Sequence, residues 1–177
     1  MVISLTGFMG CGKSTIGKIL ATRLNMPFID LDDEIIRREG RSIADIFATD
    51  GEKGFRAKEL QHLREVLDEH DDMVLSLGGG AVTTPECAEL VHGRTTCVWL
   101  QASPETVQKR TSKRLGNRPL LDGADLDRIR EMMERRDSAY RGAAHIQADT
   151  DILGVYDVAE MVEMYLRSCP PRADEEI

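Results

Sequence analysis

Short apolar runs alternate along this chain with longer stretches in which apolar residues recur every three or four positions. The short runs are typical of buried parallel strands, and the periodic stretches are typical of helices that pack on a sheet by one face. The five apolar runs occupy residues 2–6, 26–30, 73–77, 95–100 and 145–148. This alternation predicts an α/β fold, with a five-stranded parallel sheet and helices on both of its faces.

Helix signals lie between the predicted strands. Ser42 and Ser103 are good N-cap residues, and Pro104 stands where a first helical residue would be. The predicted helices cover 16–24, 33–38, 55–67, 125–136 and 156–166, and further helices begin near 43, 85 and 104, with a turn at residues 50–51. We therefore expect a single domain over residues 1–168.

Two segments lack the pattern of either element. Residues 111–122 are polar and basic, and they predict a mobile lid at about 111–124. Residues 169–177 contain two prolines followed by acidic residues, and they predict a disordered tail.

Composition and charge narrow the class of protein. The chain has 177 residues and a net charge of −8, which argues against nucleic acid or an anionic membrane as a partner. No apolar run is long enough to cross a membrane. The first strand begins at once and leaves no room for a signal peptide, so we expect a cytoplasmic protein. The four cysteines lack C-x-x-C spacing, which argues against a zinc site. Because no long exposed apolar face is evident, we expect a monomer.

The clearest chemical signal is the phosphate-binding pattern G-x-x-x-x-G-K-[ST] at residues 7–14, between the first strand and the first helix. Glycines let the backbone N–H groups and the helix N-terminus face an anion. Lys13 would reach the outer phosphates, and the Ser14 hydroxyl would ligate Mg²⁺. We expect Cys11 to contribute its backbone rather than a reactive thiol. The predicted ATP-binding residues of this loop are Gly10, Cys11, Gly12, Lys13, Ser14 and Thr15.

A second group of candidates follows the second and third strands, whose carboxyl ends should meet the phosphate loop in one cleft. If residues 30–32 are extended, Asp30 and Asp32 point the same way, one toward a metal's water shell and one toward a hydroxyl. Alternatively, Asp32 complements the dipole of the next helix. Gly78, Gly79 and Gly80 form either a simple turn or a wall without Cβ atoms that a small ligand can approach.

Several stretches together resemble shikimate kinase. They are residues 7–15, 28–32, 54–56, 77–81, 118–121 and 140–141, in the family's order and at comparable spacing. The resemblance covers about residues 2–166. It implies the P-loop kinase fold and transfer of the γ-phosphate of ATP to the 3-hydroxyl of shikimate, a step toward chorismate and the aromatic amino acids.

The resemblance also implies roles for individual residues. Lys13, Asp32 and Arg118 would be the catalytic group, with Arg118 reaching the phosphates from the lid. Lys13 and Ser14 would serve phosphate and Mg²⁺, and Asp30 would support the metal through water. Arg110 would stack on adenine. The shikimate site would comprise Asp32, Arg56, Gly78, Gly79, Gly80 and Arg141.

Two other interpretations remain open at this point. A related kinase for gluconate or a nucleoside monophosphate would share the phosphate loop, and gluconate also carries a carboxylate. A nucleotide-binding switch without a small-molecule acceptor would share the loop as well, but it would leave the convergent acids and arginines without a purpose.

Overall fold

The computed structural model describes residues 1–112 and 126–169. Its sheet has five parallel strands in the order β2-β3-β1-β4-β5. The strands are β1 (Val2–Thr6), β2 (Phe28–Asp30), β3 (Met73–Ser76), β4 (Thr96–Gln101) and β5 (Ile146–Asp149). Every strand predicted from the sequence is therefore present, and the predicted α/β fold is confirmed.

Helices follow the strands in the order that the apolar periodicity predicts. They are α1 (Lys13–Leu24), α2 (Leu31–Glu39), α3 (Ile43–Glu69), α4 (Pro85–Arg94), α5 (Pro104–Ser112), α6 (Leu126–Ala143) and α7 (Val155–Ser168). A 3-10 turn, Ala81–Thr83, separates β3 from α4. Among the described residues, no helix is both long enough and apolar enough to span a membrane.

Alternation along the strands divides the core into two layers. In β3, Met73 and Leu75 pack on one side of the sheet with α3, α4 and α6, whereas Val74 packs on the other side with α1 and α7. Cys97 is fully buried in the first of these layers, as expected. The central strand β1 thus has apolar cover on both faces, which holds the phosphate loop at its end in a fixed place.

Two local details differ from the expectations or refine them. The extended chain ends at Asp30, because the Asp30 side chain accepts a hydrogen bond from the Asp32 backbone N–H and caps a helix that begins at Leu31. The predicted turn at 50–51 is a kink at Gly51 (φ 70°, ψ 179°) between two helical segments of α3. Helix α3 begins with a capping box between Ser42 and Asp45.

The lid and tail predictions fall mostly on residues that the structure does not describe, 113–125 and 170–177. Of the predicted lid, Thr111 and Ser112 belong to the last turn of α5.

Candidate active site

The phosphate loop takes its shape from glycine. Gly7, Gly10 and Gly12 have φ angles of 138°, 81° and 104°, a region that L side chains rarely adopt. A Cβ at Gly7 would also run into the Leu100 carbonyl of β4. Helix α1 then begins at Lys13 without any side-chain cap. The N–H groups of its first turn are left to face an anion.

Lys13 lies across this loop. Its Nζ donates to the carbonyl oxygens of Gly7 at 2.8 Å and of Phe8 at 3.1 Å. Cys11 is buried, with its Sγ 3.9 Å from the Lys13 Nζ, while Ser14 and Thr15 are exposed at the start of α1. The loop therefore presents the Lys13 ammonium group and backbone N–H groups on its solvent-accessible side, where Ser14 and Thr15 are exposed.

Ser14 and Asp30 form the candidate metal-supporting pair. The Ser14 hydroxyl donates to Asp30 Oδ2 at 3.3 Å, and Asp30 Oδ1 is held by the Asp32 N–H at 3.1 Å. Hydroxyl and carboxylate oxygens are ligands that suit Mg²⁺, which usually keeps several waters and takes only one or two protein ligands. Over the described ranges, no three His, Cys, Asp or Glu residues cluster in a metal-binding arrangement. The pair thus fits Mg²⁺ held largely by phosphate and water.

Asp32 and Glu59 face the same glycine. A Cβ built on Gly78 would lie 2.9 Å from Asp32 Oδ1 and 2.9 Å from Glu59 Oε1. Burial raises the pKa of Asp32, and the nearby Asp30 carboxylate raises it further, whereas Lys13 opposes the shift. Asp32 is therefore a carboxyl group with an increased affinity for a proton, positioned beside the glycine wall.

Glu59 was not anticipated from the sequence. It is fully buried in α3, and its Oε2 accepts a hydrogen bond from Arg56 Nη1 at 2.5 Å. Burial raises its pKa, and Arg56 opposes the shift. Its other oxygen, Oε1, has no hydrogen-bond partner among the described residues. The only signal in the sequence was its i,i+3 spacing from Arg56, which is common on exposed helix faces.

Gly79 and Gly80 lie between the phosphate loop and two arginines. A Cβ on Gly79 would be 3.4 Å from the Met9 backbone nitrogen, and a Cβ on Gly80 would collide with the Arg56 guanidinium. Arg136 Nη1 donates to the Gly79 carbonyl at 3.0 Å, and its guanidinium lies 5.4 Å from the centre of the Phe8 ring. Two guanidinium groups thus flank the Gly79–Gly80 peptide.

The Arg141 side chain lies apart from this group. Its side chain is 61% exposed, pairs with Asp137 at 3.1 Å and lies 5.5 Å above the Trp99 ring. Arg136 and Tyr140 are four residues apart and share one face of α6, whereas Arg141 is turned from Tyr140 by about 100°. The arginine of α6 that lies beside the glycines in this structure is therefore Arg136, and the contact of Arg141 with an acceptor stays a prediction.

Arg110 joins the phosphate loop to the segment after β5. Its Nη1 donates to the Gly10 carbonyl at 3.3 Å and to Thr150 Oγ1 at 3.1 Å, and its Nη2 donates to the Thr150 carbonyl at 3.1 Å. A groove beside it is lined by Thr106, Lys109, Arg110, Thr150 and Asp151. The contact of Arg110 with adenine stays a prediction. Arg118 lies outside the described residues.

The segments that follow β1, β2 and β3 therefore meet in one cleft, as their positions in a parallel sheet predict. On one side the cleft has a phosphate-binding loop with Lys13. On the other side it has two arginines, the buried Glu59 and the half-buried Asp32 around the glycines. Such an arrangement can hold a polyphosphate against a small anionic molecule that bears a hydroxyl group.

Comparisons with known proteins agree with this geometry. The family model described as shikimate kinase matches residues 9–166. A shikimate kinase of Thermus thermophilus is 47% identical over 161 residues, which cover 90% of this chain and 86% of the relative. A Mycobacterium avium shikimate kinase is 48% identical over 150 residues, with 83% and 82% covered.

Solved structures give the same result. The structure of shikimate kinase from Acinetobacter baumannii in complex with shikimate superimposes with a TM-score of 0.87 at 35% identity, covering 97% of this chain and 95% of that one. Because the family model and the curated relatives each match most of the sequence, the chain belongs to the shikimate kinase family.

Proposed function

We propose that this protein transfers the γ-phosphoryl group of ATP to the 3-hydroxyl of shikimate, giving shikimate 3-phosphate and ADP on the route to chorismate. The observation that carries the proposal is the pair of guanidinium groups, from Arg56 and Arg136, on either side of the Gly79–Gly80 peptide. The pair lies opposite a phosphate loop on a protein whose net charge is −8. Family membership supports the same reaction, with ATP as co-substrate.

The arginine pair binds the acceptor's carboxylate. A guanidinium presents a planar fork of donors that matches a carboxylate, and two of them fix the orientation of a small ring. Arg56 is held by the buried Glu59, and Arg136 by the Gly79 carbonyl, so both forks are ordered before the acceptor arrives. In this assignment Arg136 takes the place that the sequence gave to Arg141.

Asp32 receives the reacting hydroxyl. Its raised pKa makes it a better proton acceptor than an ordinary aspartate while the hydroxyl oxygen attacks phosphorus. Gly78 has no side chain, and a Cβ there would collide with the Asp32 Oδ1 and Glu59 Oε1 atoms that lie against it. The proton of the hydroxyl passes to an Asp32 oxygen as the bond to the phosphoryl group forms.

The phosphate loop holds the donor. Its N–H groups and Lys13 bind the β- and γ-phosphates, so that Lys13 exchanges the Gly7 and Phe8 carbonyls for phosphate oxygens. Ser14 and, through water, Asp30 would hold Mg²⁺, which neutralises charge on the transferring phosphates when it is bound. Arg110 supports the loop from α5 and borders the groove assigned to adenine. We assign Arg118 to a lid that covers the phosphates.

We also place the protein in the cytoplasm as a monomer that acts on small molecules. Cys11, Cys87 and Cys97 are buried free thiols, which supports a reducing compartment. Only four large apolar side chains are exposed among the described residues, Ile36, Ile152, Tyr156 and Met164, which is few for the broad apolar patch of an obligate interface.

The test is the release of ADP from ATP and Mg²⁺, with shikimate, gluconate and nucleoside monophosphates offered separately. We expect turnover with shikimate alone, and stabilisation against heat by shikimate as well as by ATP. Turnover with gluconate or a nucleotide instead would overturn the assignment of shikimate as acceptor and leave the assignment of ATP as donor unchanged. Folded protein that responds to nucleotide but to no acceptor would overturn the kinase assignment.

A further inference from the structure

The carbonyl of Gly79 accepts two hydrogen bonds from the same face of α6. One comes from Arg136 Nη1, and the other comes from the Tyr140 hydroxyl. Tyr140 is buried, and its ring stacks on Trp99 with centroids 5.8 Å apart, so the position of its hydroxyl is fixed by packing. The phosphoryl-transfer scheme above uses Arg136 but gives Tyr140 no part.

The peptide between Gly79 and Gly80 needs such an anchor. Three successive glycines have no side chains to restrict rotation, so their peptide planes turn at little steric cost. In a trans peptide the C=O and the next N–H point in opposite directions. Fixing the Gly79 carbonyl on α6 therefore aims the Gly80 N–H away from α6. Over the described ranges, that N–H makes no backbone hydrogen bond of its own.

We infer that Tyr140 is a positioning residue of the acceptor site, whose hydroxyl holds the Gly79–Gly80 peptide so that the Gly80 N–H donates to the acceptor's carboxylate between Arg56 and Arg136. This inference rests on the proposed function and adds a residue that acts through the backbone. Tyr140 itself does not touch the acceptor.

Two further observations favour Tyr140 over Arg136 as the anchor. A guanidinium that turns toward an acceptor carboxylate changes its own hydrogen bonds, whereas the Tyr140 hydroxyl is held at the Gly79 carbonyl by the packing of its ring on Trp99. Burial also raises the pKa of Tyr140 to about 12, and Arg136 opposes the shift only in part, so the hydroxyl remains a proton donor at every pH at which the protein would be assayed.

The test compares Tyr140→Phe with Tyr165→Phe, a partly buried tyrosine that packs in the other core layer, on α7. Tyr140→Phe keeps the ring and its stacking and removes only the donor. We expect its KM for shikimate to rise about fivefold to tenfold, as the loss of one hydrogen bond predicts, with kcat and the KM for ATP within about twofold of wild type. Tyr165→Phe should leave all three unchanged.

A merely structural role for Tyr140 would give a different result. It would lower the melting temperature and affect both substrates, or leave the KM for shikimate within about twofold of wild type. Either result overturns the inference. Wild-type enzyme without turnover on shikimate would instead overturn the proposed function, and the inference with it, so the two failures are distinguishable.

A second measurement does not depend on the stability of the variant. In wild-type protein labelled for NMR, saturating shikimate should shift the Gly80 amide proton downfield and slow its exchange with solvent. The Gly93 amide, on α4, serves as the internal control. A Gly80 amide that responds no more than that of Gly93 would show that the N–H does not meet the acceptor, and would overturn the inference.

Discussion

The two halves of the cleft are built in different ways. The phosphate half is one continuous segment, residues 7–14, whose shape depends on three glycines with positive φ and on the start of α1. The acceptor half is assembled from α2, α3, the glycines after β3 and α6. A continuous segment can be recognised in a sequence, whereas a surface drawn from four distant elements depends on how they pack.

The electrostatics of the two halves differ as well. The phosphate half uses backbone dipoles and one lysine, which rests on the loop's own carbonyls. The acceptor half has two carboxyl groups of raised pKa beside arginines, the fully buried Glu59 and the half-buried Asp32. Burying charged groups opposes folding unless the partners compensate in full. Burial of charged groups in the acceptor half therefore lowers folding stability in favour of binding. The loss of folding stability is much smaller in the phosphate half.

The largest effect should come from the phosphate half. Lys13→Met removes the cation from the loop while it keeps a chain of similar length, and we expect kcat to fall on the order of 10³-fold because charge neutralisation dominates phosphoryl transfer. Steady-state kinetics with saturating ATP and shikimate measure it. Lys18→Met, at an exposed position of the same helix, is the matched control. A loss below about tenfold would show that backbone dipoles alone suffice in this half.

An intermediate effect should separate Arg136 from Arg141, which both lie on α6. Arg136→Met should raise the KM for shikimate on the order of 30-fold, because a charge-assisted hydrogen bond to the acceptor is lost. Arg141→Met, at an exposed position that pairs only with Asp137 and Trp99 in the described residues, should change it less than about threefold. The opposite ranking of the two variants would restore the assignment made from the sequence.

The smallest effect concerns stability, and here the substitution of a site residue should stabilise the protein. The folded-state pKa of Asp32 lies above its ordinary value of 3.8, so its ionisation between acid and neutral pH destabilises the folded protein relative to the unfolded chain. Asp32→Asn removes the ionisable group and with it this loss of stability. We expect the ligand-free variant to melt a few degrees above wild type at pH 7.

The pH dependence provides the control for that variant. The difference in melting temperature between Asp32→Asn and wild type should shrink as the pH falls toward 3.8, where Asp32 becomes protonated in the unfolded chain as well as in the folded protein. Thermal melts of both proteins across this range measure it. The expectation would be wrong if the variant melted below wild type at pH 7, or if the difference in melting temperature widened in acid. Either result would show that Lys13 and Arg56 affect the pKa of Asp32 more than burial does.

The sheet, the phosphate loop and the glycine wall could be predicted from sequence because each depends on neighbouring residues. Asp30 is extended as expected, but Asp32 is not, since the Asp30 side chain caps α2 and the helix begins at the residue after β2. Glu59 was missed because a charged residue in an amphipathic helix is normally exposed. Arg136 was not considered because the resemblance rested on residues 140–141, and adjacency in sequence does not show that Tyr140 and Arg141 point in different directions from α6.

The strand that carries the phosphate loop is synthesised long before either of the strands that it pairs with. β1 lies at the centre of the sheet, between β3 and β4, and the second of these ends at Gln101. A nascent chain still on the ribosome therefore exposes an apolar strand whose two neighbours have yet to be made. Although the loop itself is made early, ATP can stabilise the chain only after the centre of the sheet has closed.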